Sequence, residues 1–147
     1  MREKLNNERG LTLVELLAVI VILAIVGAIA FVMIGNIIEN SKKDAAVADA
    51  LQAINSAKLY EASGEEIEES GVTVKKLHDD GYLDKLYDPW TKVEYGTGDS
   101  NKVTKTSSTN EENKEMVYKV SLDASKCKIN DRSEADLIAD GRDVCDK

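Results

Sequence analysis

The stretch Gly10-Leu11-Thr12-Leu13-Val14-Glu15 leads directly into an apolar segment from Leu16 to Ile34. That segment contains no charged residue and no strongly polar one. At about 1.5 Å of rise per residue, a helix of this length spans roughly 28 Å, close to the bilayer's hydrocarbon thickness of about 30 Å. A helix also satisfies its own backbone hydrogen bonds in lipid. A membrane-spanning helix is therefore predicted. The alternative is a buried helix of a soluble protein, but the polar remainder is too small to surround one.

The charges on either side of this segment predict its orientation. Three basic residues lie within the first nine positions, whereas Lys42-Lys43 after the segment stand next to acidic residues. Because an excess of lysine and arginine marks the cytoplasmic end of a spanning helix, we expect the N-terminus inside and the bulk of the chain outside. A secretory signal is a competing interpretation, since Ala28-Ile29-Ala30 resembles a small-residue cleavage site. The apolar run continues past that site to Ile34, which favours the spanning helix.

Glu15 is the one acidic residue at the entrance to the apolar segment. A carboxylate at the centre of a bilayer costs at least about 2.5–3.5 kcal/mol on insertion scales, and less near an end. At the start of a helix the macrodipole also favours negative charge. Glu15 is therefore either an interfacial residue that faces the lipid headgroups or a residue with a specific partner.

The string from Gly10 to Leu17 closely resembles the type IV prepilin signature. In that family a glycine ends a short basic leader, a hydrophobic residue follows, and a glutamate comes four residues after it. The resemblance implies that a prepilin peptidase cuts between Gly10 and Leu11 and that the new amino terminus on Leu11 is N-methylated. It also implies that Glu15 pairs with the amino terminus of a neighbouring subunit. A buried carboxylate with such a partner is far less costly than an unpaired one.

The resemblance further implies a domain organisation and a set of partners. Residues 1–10 form the leader peptide, residues 11–38 the transmembrane and filament-core helix, and residues 39–147 a globular pilin domain. The precursor waits in the cytoplasmic membrane as a single-pass protein with its N-terminus in the cytoplasm. An assembly ATPase and a platform protein then move it from the membrane into a filament at the cell surface. The filament contains further copies of this chain or other pilins.

Composition limits the kinds of partner that the soluble part can have. The chain has 147 residues and a net charge of −8, and removal of the leader would make this −9. Such a charge argues against a broad nucleic-acid surface, so no direct nucleic-acid partner is expected. Aromatic residues make up only 5% of the chain, so the core outside the membrane should be small and should depend on the long helix.

Two cysteines, Cys127 and Cys145, lie near the C-terminus. Because type IV pilins often have a C-terminal disulfide loop, the resemblance implies that these two residues are bonded outside the membrane, where disulfides persist. Two free thiols are the alternative. Zinc binding is disfavoured, since zinc sites need four ligands and the only histidine is distant in sequence.

The fold class is predicted to be α+β, with the type IV pilin-like arrangement of a long N-terminal helix on a small antiparallel sheet. The helix should run from about Thr12 to Ser63, with Gly64 as its C-cap. Beyond the membrane its apolar residues fall on one stripe that should form the core of the domain. Those residues are Val47, Ala50, Leu51, Ile54, Ala57 and Tyr60.

Shorter elements are predicted after the long helix. Thr73 should cap a short helix that ends at Gly81, and Ser133 should cap another within the C-terminal loop. Asp88-Pro89-Trp90 indicates a turn. Strands are expected over residues 92–95, 102–106 and 116–122. The second could pair with the first, and the third shows the clearest alternation of apolar and polar residues.

No nucleophile–base pair, glycine-rich phosphate loop or metal motif is present, so we predict no catalytic residue, no cofactor and no metal site. Four aspartates, at positions 131, 136, 140 and 143, could hold calcium, but their spacing matches no EF-hand and solvated acids are the simpler interpretation.

The predicted function is structural: a subunit of a type IV pilus-like filament for adhesion, motility or aggregation. The alternatives are a pseudopilin of a secretion or DNA-uptake machine and a single-pass membrane-anchored binding protein.

Overall fold

The computed structural model describes the backbone of residues 2–96, 98–107 and 115–146, and side chains from Thr12 onward within those ranges. Contacts along the chain divide it into two units, Met1–Glu39 and Asn40–Lys147. The helices are α1 (Arg2–Ala62), α2 (Val74–Asp79), α3 (Glu134–Asp140) and a closing 3₁₀ helix (Gly141–Asp146). The strands are β1 (Val72–Thr73), β2 (Lys102–Ser107), β3 (Met116–Ala124) and β4 (Cys127–Ser133).

Helix α1 starts earlier than the predicted start near Thr12. Its helical backbone begins at Arg2, because residues 2–9 contain neither proline nor glycine to interrupt it. The helix ends at Ala62, and Gly64 follows in the left-handed region at φ 102°, as the predicted C-cap requires. The amide of Gly64 donates to the carbonyl of Glu61 and closes the last turn.

The part of α1 within the second unit supplies one wall of that unit's core. The predicted stripe is confirmed: Val47, Ala50, Ile54, Ala57 and Tyr60 are buried, and Leu51 packs partly buried against them. Ala46 and Ala53 are also fully buried. These small residues let the helix approach the sheet closely, which is how a domain with few aromatic residues closes its core.

The four strands form one antiparallel sheet in sequence order, so the α+β prediction is confirmed. β2 pairs with β3 along its whole length, from Lys102 opposite Ser121 to Ser107 opposite Met116. β3 pairs with β4 with a register shift between Val120 and Leu122. The inward side chains pack against the helix stripe: Val103, Val120, Leu122, Ala124, Cys127 and Ile129 are all buried.

The predicted strand over 92–95 is wrong. Lys92 adopts a left-handed conformation at φ 59°, and the segment contributes only a single bridge, Tyr87 to Glu94. The next strand therefore does not pair with it: β2 pairs instead with β1 and β3. Two strands were not predicted at all. β1 has only two residues, and β4 is interrupted by polar and charged residues that hide its alternation.

Gly71, which precedes β1, lies at φ 87° and close to β2. A Cβ there would lie 2.6 Å from the carbonyl oxygen of Val103 and 2.9 Å from Cγ2 of Thr104. We expect Gly71→Ala to lower the free energy of unfolding by about 2–4 kcal/mol, from backbone strain of about 1 kcal/mol or more and overpacking of about 1–3 kcal/mol. Urea unfolding of the detergent-solubilised chain, followed by circular dichroism, measures this loss.

Gly81 provides the matched control for that substitution. It lies at φ 84°, nearly the same backbone conformation, but an added Cβ would meet nothing within 4 Å. Gly81→Ala should therefore show the strain alone, about 1 kcal/mol or slightly more. Equal losses for the two variants would contradict the assigned contact between Gly71 and β2.

Candidate assembly helix and C-terminal loop

The apolar segment of α1 is fully exposed within the unit that contains it. Side chains from Leu13 to Ile34 are half or more exposed at nearly every large apolar position, and Phe31 reaches 82%. Among the residues that the structure describes, one helix is long and apolar enough to cross a membrane. Exposed apolar surface on this scale is unfavourable in water. This surface is therefore stable only when lipid or other apolar helices surround it.

Glu15 lies at the N-terminal end of this exposed segment. Its side chain is exposed, and within the described residues no basic side chain forms an ion pair with it. The chain therefore presents a carboxylate on an otherwise uncharged helical surface, as the sequence predicted. Gly10 and Leu11 precede it on the helical backbone, and the Leu11 side chain lies outside the described part of the chain. Cleavage after Gly10 and methylation of Leu11 remain predictions.

The C-terminal loop is closed by a disulfide bond between Cys127 and Cys145, with their Cα atoms 4.4 Å apart. Cys127 opens β4 and is buried, while Cys145 lies in the 3₁₀ helix. The predicted bond is present. The loop it encloses contains β4 and α3, and the side chains of Leu137 and Val144 anchor it in the core.

Within this loop Asp131 and Asp136 have local structural partners. Ser133 caps α3 as predicted: its hydroxyl accepts from the amide of Asp136, and the Asp136 carboxylate accepts from the Ser133 amide and hydroxyl. The Ser133 donors lower the pKa of Asp136. Asp131 forms an ion pair with Lys119 at 2.7 Å. Among the described side chains, no group of three or more potential ligands is arranged to hold a metal ion.

Ion pairs join the C-terminal loop to α1. Lys43 Nζ lies 2.6 Å from Asp146 Oδ1, and Arg142 Nη2 lies 3.0 Å from Asp44 Oδ2. A third pair links Lys58 of the helix to Glu134 at the start of α3. Each surface pair contributes only about 0–1 kcal/mol, but all three fix the helix to the loop. Sequence reasoning missed them because the partners stand 76 to 103 positions apart.

A buried carboxylate, Asp88, organises the turn that the sequence predicted. Its Oδ1 accepts from the amides of Trp90 and Thr91, and its Oδ2 accepts from the amide of Ser125 in the β3–β4 turn. Burial alone would raise the pKa of Asp88, but the amides of Trp90, Ser125 and Thr91 outweigh it and hold the pKa below its usual value. Asp88 thereby ties the Pro89–Thr91 turn to the sheet.

Asp88→Asn should lower the free energy of unfolding at neutral pH by about 1–3 kcal/mol, because an amide cannot accept from both groups of donors. A carboxylate with a lowered native pKa contributes stability that is present above its unfolded pKa of about 3.9 and is lost as pH falls through the native value. Urea titrations from pH 7 to pH 2.5 should therefore show the wild-type advantage disappearing below about pH 4. Asp84→Asn, at an exposed position, is the control and should leave stability unchanged. A constant difference across this range would refute the assignment.

The fold and the exposed apolar segment define a type IV pilin-like arrangement: a long N-terminal helix packed through its second half on a four-stranded antiparallel sheet. Comparison with protein-family models gives one match, the prokaryotic N-terminal methylation motif, at residues 5–31. The chain thus carries the class III signal of type IV pilins and pseudopilins, and the predicted resemblance is confirmed.

No curated protein and no solved structure matches the chain. The methylation motif and the apolar helix together support a type IV pilin or pseudopilin, which is a structural class of protein. They also fit a membrane-anchored precursor.

Proposed function

We propose that this chain is a structural subunit of a type IV pilus-like filament. The observation that carries the proposal is the overlap of the methylation motif at residues 5–31 with the exposed, uncharged helical segment from Leu16 to Ile34, which has Glu15 at its entrance. Such a segment is suited first to lipid and then to a bundle of identical helices, because both surroundings bury its apolar side chains.

Processing is the first step in this role. Prepilin peptidase removes residues 1–10 on the cytoplasmic side and leaves an amino terminus on Leu11, which is then N-methylated. The segment 11–38 holds the subunit in the membrane, and residues 39–147 stand outside. The disulfide between Cys127 and Cys145 suits that oxidising side of the membrane.

Assembly follows by transfer of the apolar segment from lipid into the filament. Glu15 pairs with the amino terminus of an adjacent subunit, so neither charge is left alone in the helix bundle. An assembly ATPase and a platform protein supply the driving force, and the finished filament serves adhesion, motility or aggregation. Under the same motif, a pseudopilin role in secretion or DNA uptake is the second candidate.

Filament isolation from the native host tests the proposal. Cells are sheared, and the fraction that sediments is examined by electron microscopy and by mass spectrometry of this chain. A pilus subunit should form long surface filaments in which this chain is a component. Short periplasmic or wall-spanning assemblies that depend on a secretion or uptake machine would assign the pseudopilin role. A chain found only in the membrane as the uncleaved precursor would overturn both.

A further inference from the structure

Residues 86–95 form a closed loop in the second unit. The Tyr95 amide donates to the Leu86 carbonyl and joins the two ends of this 86–95 loop, and a single bridge joins Tyr87 to Glu94. Leu86 and Tyr95 are buried in the core, whereas Tyr87 is 48% exposed and Val93 64% exposed. The loop is therefore anchored at its base and presents apolar side chains at the surface of the domain.

A carboxyl group of α1, Asp49, contacts the base of this loop. The Tyr95 hydroxyl donates to Oδ2 of Asp49 over 3.5 Å, which is a long hydrogen bond. Asp49 is partly buried, and its helical neighbours Ala46 and Ala53 are fully buried. Within the described part of the chain, no basic side chain forms an ion pair with Asp49. Its negative charge is therefore removed from water with little compensation.

The titratable and charged groups that face Asp49 among the described residues are Tyr95 and Lys92, both on the loop. Burial raises the pKa of Asp49 to about 6, and the Tyr95 hydroxyl and the Lys92 ammonium offset this only in part. Burial and the charges of Asp49 and Asp88 raise the pKa of Tyr95, so its hydroxyl keeps its proton. Asp49 is therefore the group at this contact that changes charge in mildly acidic solution.

We propose that Asp49 and Tyr95 form a proton-dependent latch that holds the 86–95 loop against α1. A protonated Asp49 is neutral and stays in the contact without the desolvation cost of a charge. An ionised Asp49 favours water, so the loop separates from α1 more often. The proton thereby controls how the domain presents the exposed side chains of Tyr87 and Val93. The inference does not depend on the filament function, because every group involved lies within the second unit.

The sign of the pH dependence follows from the two carboxyl groups that hold the loop. The pKa of Asp49 with the loop closed exceeds its ordinary value of about 3.9, so the closed loop is favoured below that value and loses this advantage as pH rises through about 6. Asp88 acts in the opposite sense, because the amides of Trp90, Ser125 and Thr91 hold its pKa below the usual value. The loop should therefore be held most firmly near about pH 4.

Amide hydrogen exchange of the detergent-solubilised full-length chain tests the latch. The amides of Asp88, Lys92 and Tyr95 are hydrogen-bonded within the loop and report its opening. Because one pKa unit between the closed and the open loop changes the opening equilibrium tenfold, and solvent weakens the effect at a partly exposed group, we expect protection to fall about tenfold from pH 4.5 to pH 7. Rates are corrected for the intrinsic pH dependence of exchange. Protection that stays constant across this range would overturn the inference.

Asp49→Asn keeps the shape of the side chain and cannot ionise. Its loop should be protected at pH 7 to about the level of the wild type at pH 4.5, with no dependence on pH between them. Asp84→Asn, at an exposed position before the loop, is the matched control and should keep the wild-type dependence. His78→Gln is the second control, because histidines ordinarily change charge between about pH 5 and pH 8. A pH dependence that survives in Asp49→Asn, or is lost in either control, would overturn the inference.

Tyr95→Phe separates the proton from simple packing. The Tyr95 hydroxyl lowers the pKa of Asp49, so its removal should move the midpoint of loop opening to higher pH. A purely structural role for the hydroxyl would reduce protection equally at every pH and leave the midpoint in place. That second result would overturn the latch.

Discussion

Glu15→Ala is expected to abolish filament formation while the subunit still accumulates in the membrane. In the proposed filament, the substitution removes the carboxylate at the entrance to the exposed apolar segment and leaves the amino terminus of the neighbouring subunit without a partner in a dry helix bundle. Removing one partner of a buried ion pair costs about 3–5 kcal/mol, or more than a hundredfold in the equilibrium constant of each contact. Because the proposed filament repeats that contact at every subunit, the loss of filaments should be close to complete.

Two further substitutions separate the charge from the size of the side chain. Glu15→Gln keeps the shape without the charge and should behave like the alanine variant. Glu15→Asp keeps the charge with a shorter reach and should restore part of the assembly. Glu65→Gln removes a carboxylate from an exposed loop and should leave filaments at wild-type levels. The readout is sheared filament mass per membrane-bound subunit, and wild-type yields from Glu15→Gln would refute the pairing.

The second large effect concerns the disulfide between Cys127 and Cys145. The bond closes a sequence separation of 18 residues, for which the chain-entropy model gives about 3 kcal/mol. Without it, α3 and the 3₁₀ helix remain attached through Leu137, Val144 and surface ion pairs. We therefore expect the Cys127→Ala and Cys145→Ala double variant to melt roughly 10–20 °C below the wild type.

Reduction offers a matched control for this prediction. Alanine replaces the buried Cys127 without placing a polar group in the core. Dithiothreitol should lower the melting temperature of the wild type to about that of the double variant and should not affect the variant itself. Calorimetry of the detergent-solubilised chain measures both. A double variant that melts within about 2 °C of the wild type would show that the bond contributes little to stability.

The parts of the fold that were predictable are those with strong local patterns. The uniform apolar run from Leu16 to Ile34, the periodic stripe from Val47 to Tyr60 and the alternation in β3 each specify an element by themselves. The two short helices were predictable because Thr73 and Ser133 are strong caps with a glycine at the far end.

The parts that were not predictable depend on contacts between distant residues. Residues 92–95 read as a strand, but the turn held by Asp88 places Lys92 in a left-handed conformation and ends the pairing after one bridge. β1 exists only because Val72 and Thr73 lie beside β2, with Gly71 allowing the close approach.

The mass of the N-terminal peptide, from protein purified from its native host, tests the central claim most directly. Processing as a type IV prepilin predicts a chain that begins at Leu11 and carries one added methyl group on its amino terminus. That result would leave only the kind of filament to be determined. A chain that retains residues 1–10, or one cut near Ala30, would contradict the account and favour a membrane-anchored or secreted binding protein.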